Sequence, residues 1–279
     1  MIEGLAGGKI IYSKPFGSGR IGGAFSMTDS LGVFAGLESY STGLYRPVRQ
    51  FENRKGANIF QKLGIGDGAA QGAQLYYSGN GFFATIGQYV PVFGASTDTT
   101  GGYKTFARIA YEVDIEGFNV AVGGYYIGGD VTDNNVTATG KESAWDASAY
   151  DRKSTGLDFQ LQGDVADMSL MVTAGWVLKN DYTAGGVIGA TQDKDITGFS
   201  VATQLNPSDT WGVKLAYLSY TDDSVGVVGD INDENIINVG LEYNVDQNLR
   251  LCLEYSDTSY DDPTLANQKD FLFMTQLAF

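Results

Sequence analysis

Asp270-Phe271-Leu272-Phe273-Met274-Thr275-Gln276-Leu277-Ala278-Phe279 is the segment from which the rest of the chain is read. Phe271, Phe273, Thr275, Leu277 and Phe279 share one parity and are mostly large and apolar. Met274, Gln276 and Ala278 share the other and are smaller or polar. Alternate side chains of a strand point to opposite faces, so the segment has one apolar and one mixed face. Its length is also what a tilted strand needs to cross a bilayer, about ten residues.

The same alternation recurs upstream. Residues 5–12 carry it weakly. Residues 20–27 and 31–40 carry it clearly, around a short turn at Thr28-Asp29-Ser30. It resumes at 71–77 and, without a settled parity, at 82–90. Further segments follow at 105–113, 118–126, 155–163, 169–179, 197–205, 211–217, 237–243 and 249–255. Together with 270–279 this gives about 14 strands, with 16 as the alternative. Charges in the phased strands are expected on the face opposite the aromatic and branched residues. Connections alternate between short (28–30, 78–81, 114–117, 164–167, 206–210, 244–248) and long (91–102, 127–154, 180–196, 221–235, 256–269). Short turns on one rim and long loops on the other are the arrangement of a transmembrane antiparallel up-and-down barrel. A soluble sandwich or propeller also alternates, but rarely through so many successive hairpins.

Bulk composition agrees. Mean hydropathy is -0.12, and no run of about 18 apolar residues is present to form a membrane helix. Barrel strands hide their apolar residues at every second position. The 38 Gly, 17 Tyr and 15 Phe against 5 Pro suit many short strands. A net charge of -15 argues against nucleic acid as a partner. The absence of His removes His-dependent triads and most zinc sites, and the single Cys252 removes a disulfide framework. Neither a cofactor nor a metal centre is expected. Gly17-Ser18-Gly19-Arg20-Ile21-Gly22 fits a dinucleotide fingerprint, but a strand rather than a helix is expected after it.

An amphipathic last strand ending in Phe279 resembles the closing strand of Gram-negative outer-membrane β-barrels, where that terminus is the assembly signal. The resemblance to general porins implies one barrel over residues 1–279, set in the outer membrane among lipid and lipopolysaccharide and assembled as a homotrimer. Trp176, Trp211, Tyr243, Tyr255, Phe118 and Phe271 are expected near strand ends, as interfacial girdles.

With the apolar face outward, Arg20, Glu38, Arg108, Glu112, Asp158, Lys214, Glu242, Arg250 and Glu254 would line the lumen, and a barrel of this size would keep a wetted interior. These charges would select ions, brace the wall by pairing, or do both. The irregular segment 41–70 interrupts the hairpins after three strands. It holds Arg46, Arg49, Arg54, Lys55 and Lys62, five of 18 basic residues within 17 positions, against only Glu52 in that span. Residues 58–63 within it read as either a short helix or an unpaired strand. By the resemblance, this segment looks like the porin loop that folds inward and constricts the pore. Sixteen-stranded members carry that loop after the fifth strand, so either this barrel is smaller or a hairpin precedes residue 1. The remaining long loops are acidic, and Asp230-Ile231-Asn232-Asp233-Glu234 has part of a Ca²⁺-binding spacing, so Ca²⁺ or Mg²⁺ at these loops is one reading.

The function expected is a water-filled porin without catalysis, passing small hydrophilic solutes and ions. A structural or plugged barrel acting through a protein partner, as a sheath or adhesin, is the alternative. A barrel enzyme is less consistent with a chain lacking His.

Overall fold

In the computed structural model the described residues are 2–3, 8–13, 20–38, 58–63, 70–90, 104–128, 153–183, 192–222, 233–246, 249–261 and 265–277. They form a single sheet of 15 strands in simple sequence order, each paired antiparallel with its neighbour. The strands are β1 (Ile2–Glu3), β2 (Gly8–Ser13), β3 (Arg20–Ser26), β4 (Leu31–Glu38), β5 (Ala70–Gly79), β6 (Phe82–Val90), β7 (Lys104–Ile115) and β8 (Phe118–Gly128). They continue as β9 (Lys153–Val165), β10 (Met168–Thr183), β11 (Gln192–Asn206), β12 (Trp211–Asp222), β13 (Glu234–Asp246), β14 (Leu249–Tyr260) and β15 (Gln268–Leu277). One short helix, α1 (Ile59–Lys62), lies between β4 and β5.

The expected count of 14 becomes 15 through the two-residue β1, so four strands rather than three precede the basic segment. Several strands also run further than the alternation suggested, because ladder pairing continues past the last apolar residue. The β10–β11 pairing extends to Thr183 and Gln192, which puts Asp181, Asp193 and Asp195 on strands rather than in a loop. Glu234 likewise opens β13 instead of closing an acidic loop.

Parity is sharp. On one face Ile109, Leu157, Leu215 and Ile237 are half-exposed or more, and Phe271 is 77% exposed. On the other, Arg108, Ala121, Lys214, Asn238 and Glu254 are buried. A flat single-layer sheet would expose both faces equally. This sheet therefore shields one face by curling around it, with the apolar face outside. The unsettled β6 falls into line, with Ile86 outward and Thr85 inward. Phe271 and Phe273 of the last strand face outward with their register partners Tyr255 and Leu253. Phe279 lies outside the described residues.

The short connections are built by residues that suit them. Asn80-Gly81 and Glu116-Gly117 adopt positive φ at both positions, the two-residue hairpin geometry that matches strand twist. Ala166-Asp167 does the same without a glycine, at φ 48 and 65. The longer turns use a hydroxyl instead. Thr28 Oγ1 accepts from the amides of Ser30 and Leu31, and Ser208 Oγ accepts from those of Thr210 and Trp211. An L-residue in the left-handed region pays about 1 kcal/mol, less for Asn. Ala166→Asn is therefore expected to raise stability by up to about 1 kcal/mol, read as a higher urea midpoint for unfolding in detergent micelles.

Candidate functional site

The inner wall is the site, and it has two zones. Toward the long connections it is apolar. Phe106 near the start of β7, Tyr125 and Ile127 near the end of β8, and Leu218 and Ile236 of β12 and β13 are all buried there. Against this zone sits α1. Ile59 and Phe60 are buried in the same cluster, and the Phe60 ring meets Tyr125 edge-on at 5.6 Å. Burying two such side chains is worth about 1.5–3 kcal/mol each, enough to seat a helix too short to persist alone.

The seat exists because the wall is cut away beneath it. A Cβ on Gly175 would lie 2.6 Å from Phe60, and one on Gly198 would lie 2.6 Å from Ile59. Ser200 Oγ accepts from the Ile59 amide at 2.9 Å, and the Asn58 carboxamide oxygen accepts from the Phe60 amide at 2.8 Å, satisfying two donors at the helix start. At its other end Lys62 donates to Glu234 at 2.8 Å, while the Tyr220 hydroxyl donates to the second Glu234 oxygen at 2.7 Å. Of the two readings of residues 58–63, the short helix holds: α1 lies on the inner face of β10–β12, with Lys62 reaching β13.

Toward the middle of the wall the lining becomes polar. Arg108 of β7 pairs with Asp158 of β9 at 2.7 Å across the intervening β8. Gly123 of β8 leaves room for that meeting, since a Cβ there would lie within 3.0 Å of both partners. Lys214, Gly240 and Glu254 stand opposite one another on β12, β13 and β14. Arg250 donates to Glu242 at 3.0 Å. Glu112 lies closer to the short turn, exposed, and accepts from Asn119 at 2.6 Å. Arg20 opens β3 and Glu38 ends β4. Their side chains, and Arg46, Arg49, Glu52, Arg54 and Lys55, lie outside the described residues.

Three expectations change. Charges do not have their face to themselves, because Phe106, Tyr125, Leu218 and Ile236 share it. The polar lining is not continuous, because the helix needs an apolar seat. Trp176 is not at a strand end but near the middle of the 16-residue β10, opposite Leu157 and Phe199 on the outer face. Trp211 does begin its strand, its ring tilted against that of Tyr243 with centroids 4.4 Å apart. The apolar inner zone had a signal in the sequence: Phe106 and Arg108, or Leu218 and Lys214, have the same parity.

Neither a protein-family model nor a curated protein sequence matches the chain. Solved structures do. The outer-membrane channel DcaP of Acinetobacter baumannii superimposes with a TM-score of 0.59 at 12% identity, over 98% of this chain and 84% of that one. The chain has an outer-membrane β-barrel fold. The barrel is also similar to in-vitro folded OmpT of Vibrio cholerae in its trimer form, at TM-score 0.51 and 12% identity over 97% and 95% of the two chains. An anion-selective porin from Comamonas acidovorans gives TM-score 0.52 and 14% identity over 93% and 73%.

The Arg108–Asp158 pair makes the polar zone testable. Removing one member of a buried pair costs about 3 kcal/mol, because the other charge is left unpaired. Asp158→Asn is expected to lower the urea unfolding midpoint accordingly. Replacing both, Arg108→Met with Asp158→Leu, is expected to recover most of that loss.

Proposed function

We propose that the protein is an outer-membrane porin that passes small hydrophilic solutes and ions by diffusion and performs no catalysis. The observation that carries the reading is α1. A segment of the chain between β4 and β5 lies inside the curled sheet, on its inner face, and brings Lys62 into the lumen. A helix seated on the wall narrows the passage beside it, and charges at the narrowest section set the electrostatic barrier. Arg46, Arg49, Glu52, Arg54 and Lys55, on the same segment, would add to that section, with Lys214, Glu242, Arg250 and Glu254 facing it from the wall.

The outer face fits a hydrocarbon environment, since Leu157, Leu215, Ile237 and Phe273 are exposed in a band with charges turned inward. A lipid bilayer bounded by lipopolysaccharide is the surrounding this face suits. The trimer form of the Vibrio cholerae protein favours a homotrimer here. The anion selectivity of the Comamonas acidovorans porin, together with the basic segment, favours anions at the constriction.

The test is single-channel conductance in a planar bilayer under a salt gradient. Stepwise openings are expected, with a reversal potential on the anion side. Lys62→Gln removes a positive charge and leaves the Glu234 carboxylate without its cation, held by the Tyr220 hydroxyl. It is expected to move the cation-to-anion permeability ratio upward about five-fold, because roughly half a kcal/mol of Coulomb energy across about 8 Å of water acts with opposite sign on cations and anions. A folded barrel that conducts nothing would overturn the porin and favour a structural barrel working through a protein partner.

A further inference from the structure

The outer face is not evenly packed. Between β7 and β10 it is hollowed into a groove of about 430 Å³, lined by Ile109, Gly124, Tyr126, Thr155, Leu157 and Trp176. The register explains the hollow. Ile109 and Leu157 flank Gly124 on either side, and Trp176 stands beyond Leu157. The floor is what Gly124 lacks, since a Cβ there would come 3.2 Å from Leu157. At about 30 Å³ for each water-sized group, the groove has room for on the order of fourteen, the scale of one acyl chain.

The groove has a top and a bottom. At about 3.4 Å per residue and a strand tilt near 40°, each residue climbs roughly 2.6 Å toward the long connections. Trp176 is eight residues past Met168, where β10 begins, and so stands about 21 Å up, near the far edge of an apolar band about 25 Å tall. It is midway along β10 yet at the level of an interfacial aromatic, because the strand overruns the band. Tyr126, eight residues past Phe118, is level with it. A Cβ on Gly128 would meet the Tyr126 hydroxyl, so that hydroxyl leans toward the long connections. Thr155 stands opposite Tyr126 in the register. Lys153, twelve residues before Val165, lies at about 31 Å, past the band. It is exposed and has the outward parity of Thr155 and Leu157.

From the turn side upward, the surface thus offers an apolar groove, then an indole N–H and two hydroxyls, then a cation. That is the order of chain, acyl linkage and phosphate in an anionic lipid. Apolar fit alone would not hold one lipid in preference to the next, because lipid tails are as apolar as the wall. The donors and the charge supply the preference. Further round the outer face Tyr217 and Tyr255 spend their hydroxyls on Asn235 and Asp257. Tyr126 has no such partner among the described residues. A helix of a partner protein is too wide for the groove. With side chains it is 10–12 Å across, whereas Ile109 and Leu157 stand two strand spacings apart, about 9.6 Å before their own side chains take space. Long connections face outside the cell in such barrels, so the leaflet is the outer one and its anionic lipid is lipopolysaccharide. We infer that the β7–β10 groove beneath Lys153 is a site for one acyl chain of lipopolysaccharide, with a phosphate held at Lys153. The inference stands on the barrel fold and its orientation, and not on conduction.

The experiment gives lipid A, the acylated and phosphorylated part of lipopolysaccharide, to the full chain refolded in detergent micelles. Native mass spectra record the fraction of barrels that keep one lipid, and heat-modifiable mobility confirms folding. The wild type is expected to keep one lipid A. Gly124→Ile, which fills the groove from the outer face, is expected to lose it while leaving single-channel conductance unchanged. Trp176→Phe, which keeps a ring but removes the N–H, and Lys153→Gln are each expected to weaken retention about five-fold. Unchanged retention in the variants that fold would overturn the site, and Trp176→Phe with Lys153→Gln decide it if Gly124→Ile does not refold. Dioleoylphosphatidylethanolamine kept as firmly as lipid A would overturn the lipid class. A trimer peak seen without lipid and lost in Gly124→Ile would overturn the occupant in favour of a second copy of this chain. A barrel that conducts but keeps no lipid A would overturn this inference alone, whereas one that keeps lipid A and passes no current would support it and overturn the porin.

Discussion

Hydrocarbon offers no hydrogen bonds, so a chain that crosses it must satisfy its own backbone. Among the described residues the pairing of each strand from β1 to β15 with its neighbour, broken in register only between Asn244 and Asp246, answers that demand strand by strand, and much of the rest follows from it. Once every strand pairs with its sequence neighbour, side-chain period two assigns each residue to one of two faces. A one-residue slip would turn Leu157, Leu215 and Phe271 inward and Arg108, Lys214 and Glu254 into lipid. The register is therefore held by the outside as much as by the inside. The hairpins Asn80-Gly81 and Glu116-Gly117 fix it locally, where the chain reverses.

The inner face then has to serve two purposes at once. It carries charges, which need pairing or water, and it seats a helix, which needs apolar contact. The wall separates these along its height. Near the long connections Phe106, Tyr125 and Leu218 hold α1; further along the same strands Arg108, Asp158 and Lys214 take over. The Lys62–Glu234 pair lies within the apolar zone, where the Tyr220 hydroxyl completes the coordination of the carboxylate. Fastening a short helix at both ends, by Ser200 at one and Glu234 at the other, holds it in place without a long hydrophobic stripe.

How much of this was legible in the sequence depended on how local the determinant was. The strands were readable because alternation is a property of each segment alone, and thirteen of the expected segments after the first fall on β3–β15. Boundaries were less readable. Hydrogen bonding continues through polar residues such as Asp181 and Glu234, which composition assigns to loops. The inward direction of Arg108, Asp158, Lys214 and Glu254 followed from parity. Their partners did not, because the Arg108–Asp158 contact depends on Gly123 in the strand between them. The helix seat was hidden for the same reason. It is made of what Gly175 and Gly198 lack, and an absent side chain gives no apolar signal. The basic character of residues 46–62 marked the segment and includes Lys62, which fastens one end, whereas the seat itself is filled by the neutral triplet Asn58-Ile59-Phe60.

The glycine seat also carries an evolutionary consequence. Gly175 and Gly198 sit on adjacent strands, and Ile59 and Phe60 reach them from more than a hundred positions earlier in the chain. Neither side can grow without the other shrinking. Among descendants of this sequence a bulkier residue at 175 or 198 should be inherited only alongside a smaller one at 59 or 60. These four positions would drift as a linked set, while the outer face, answerable only to lipid, exchanges one apolar residue for another freely.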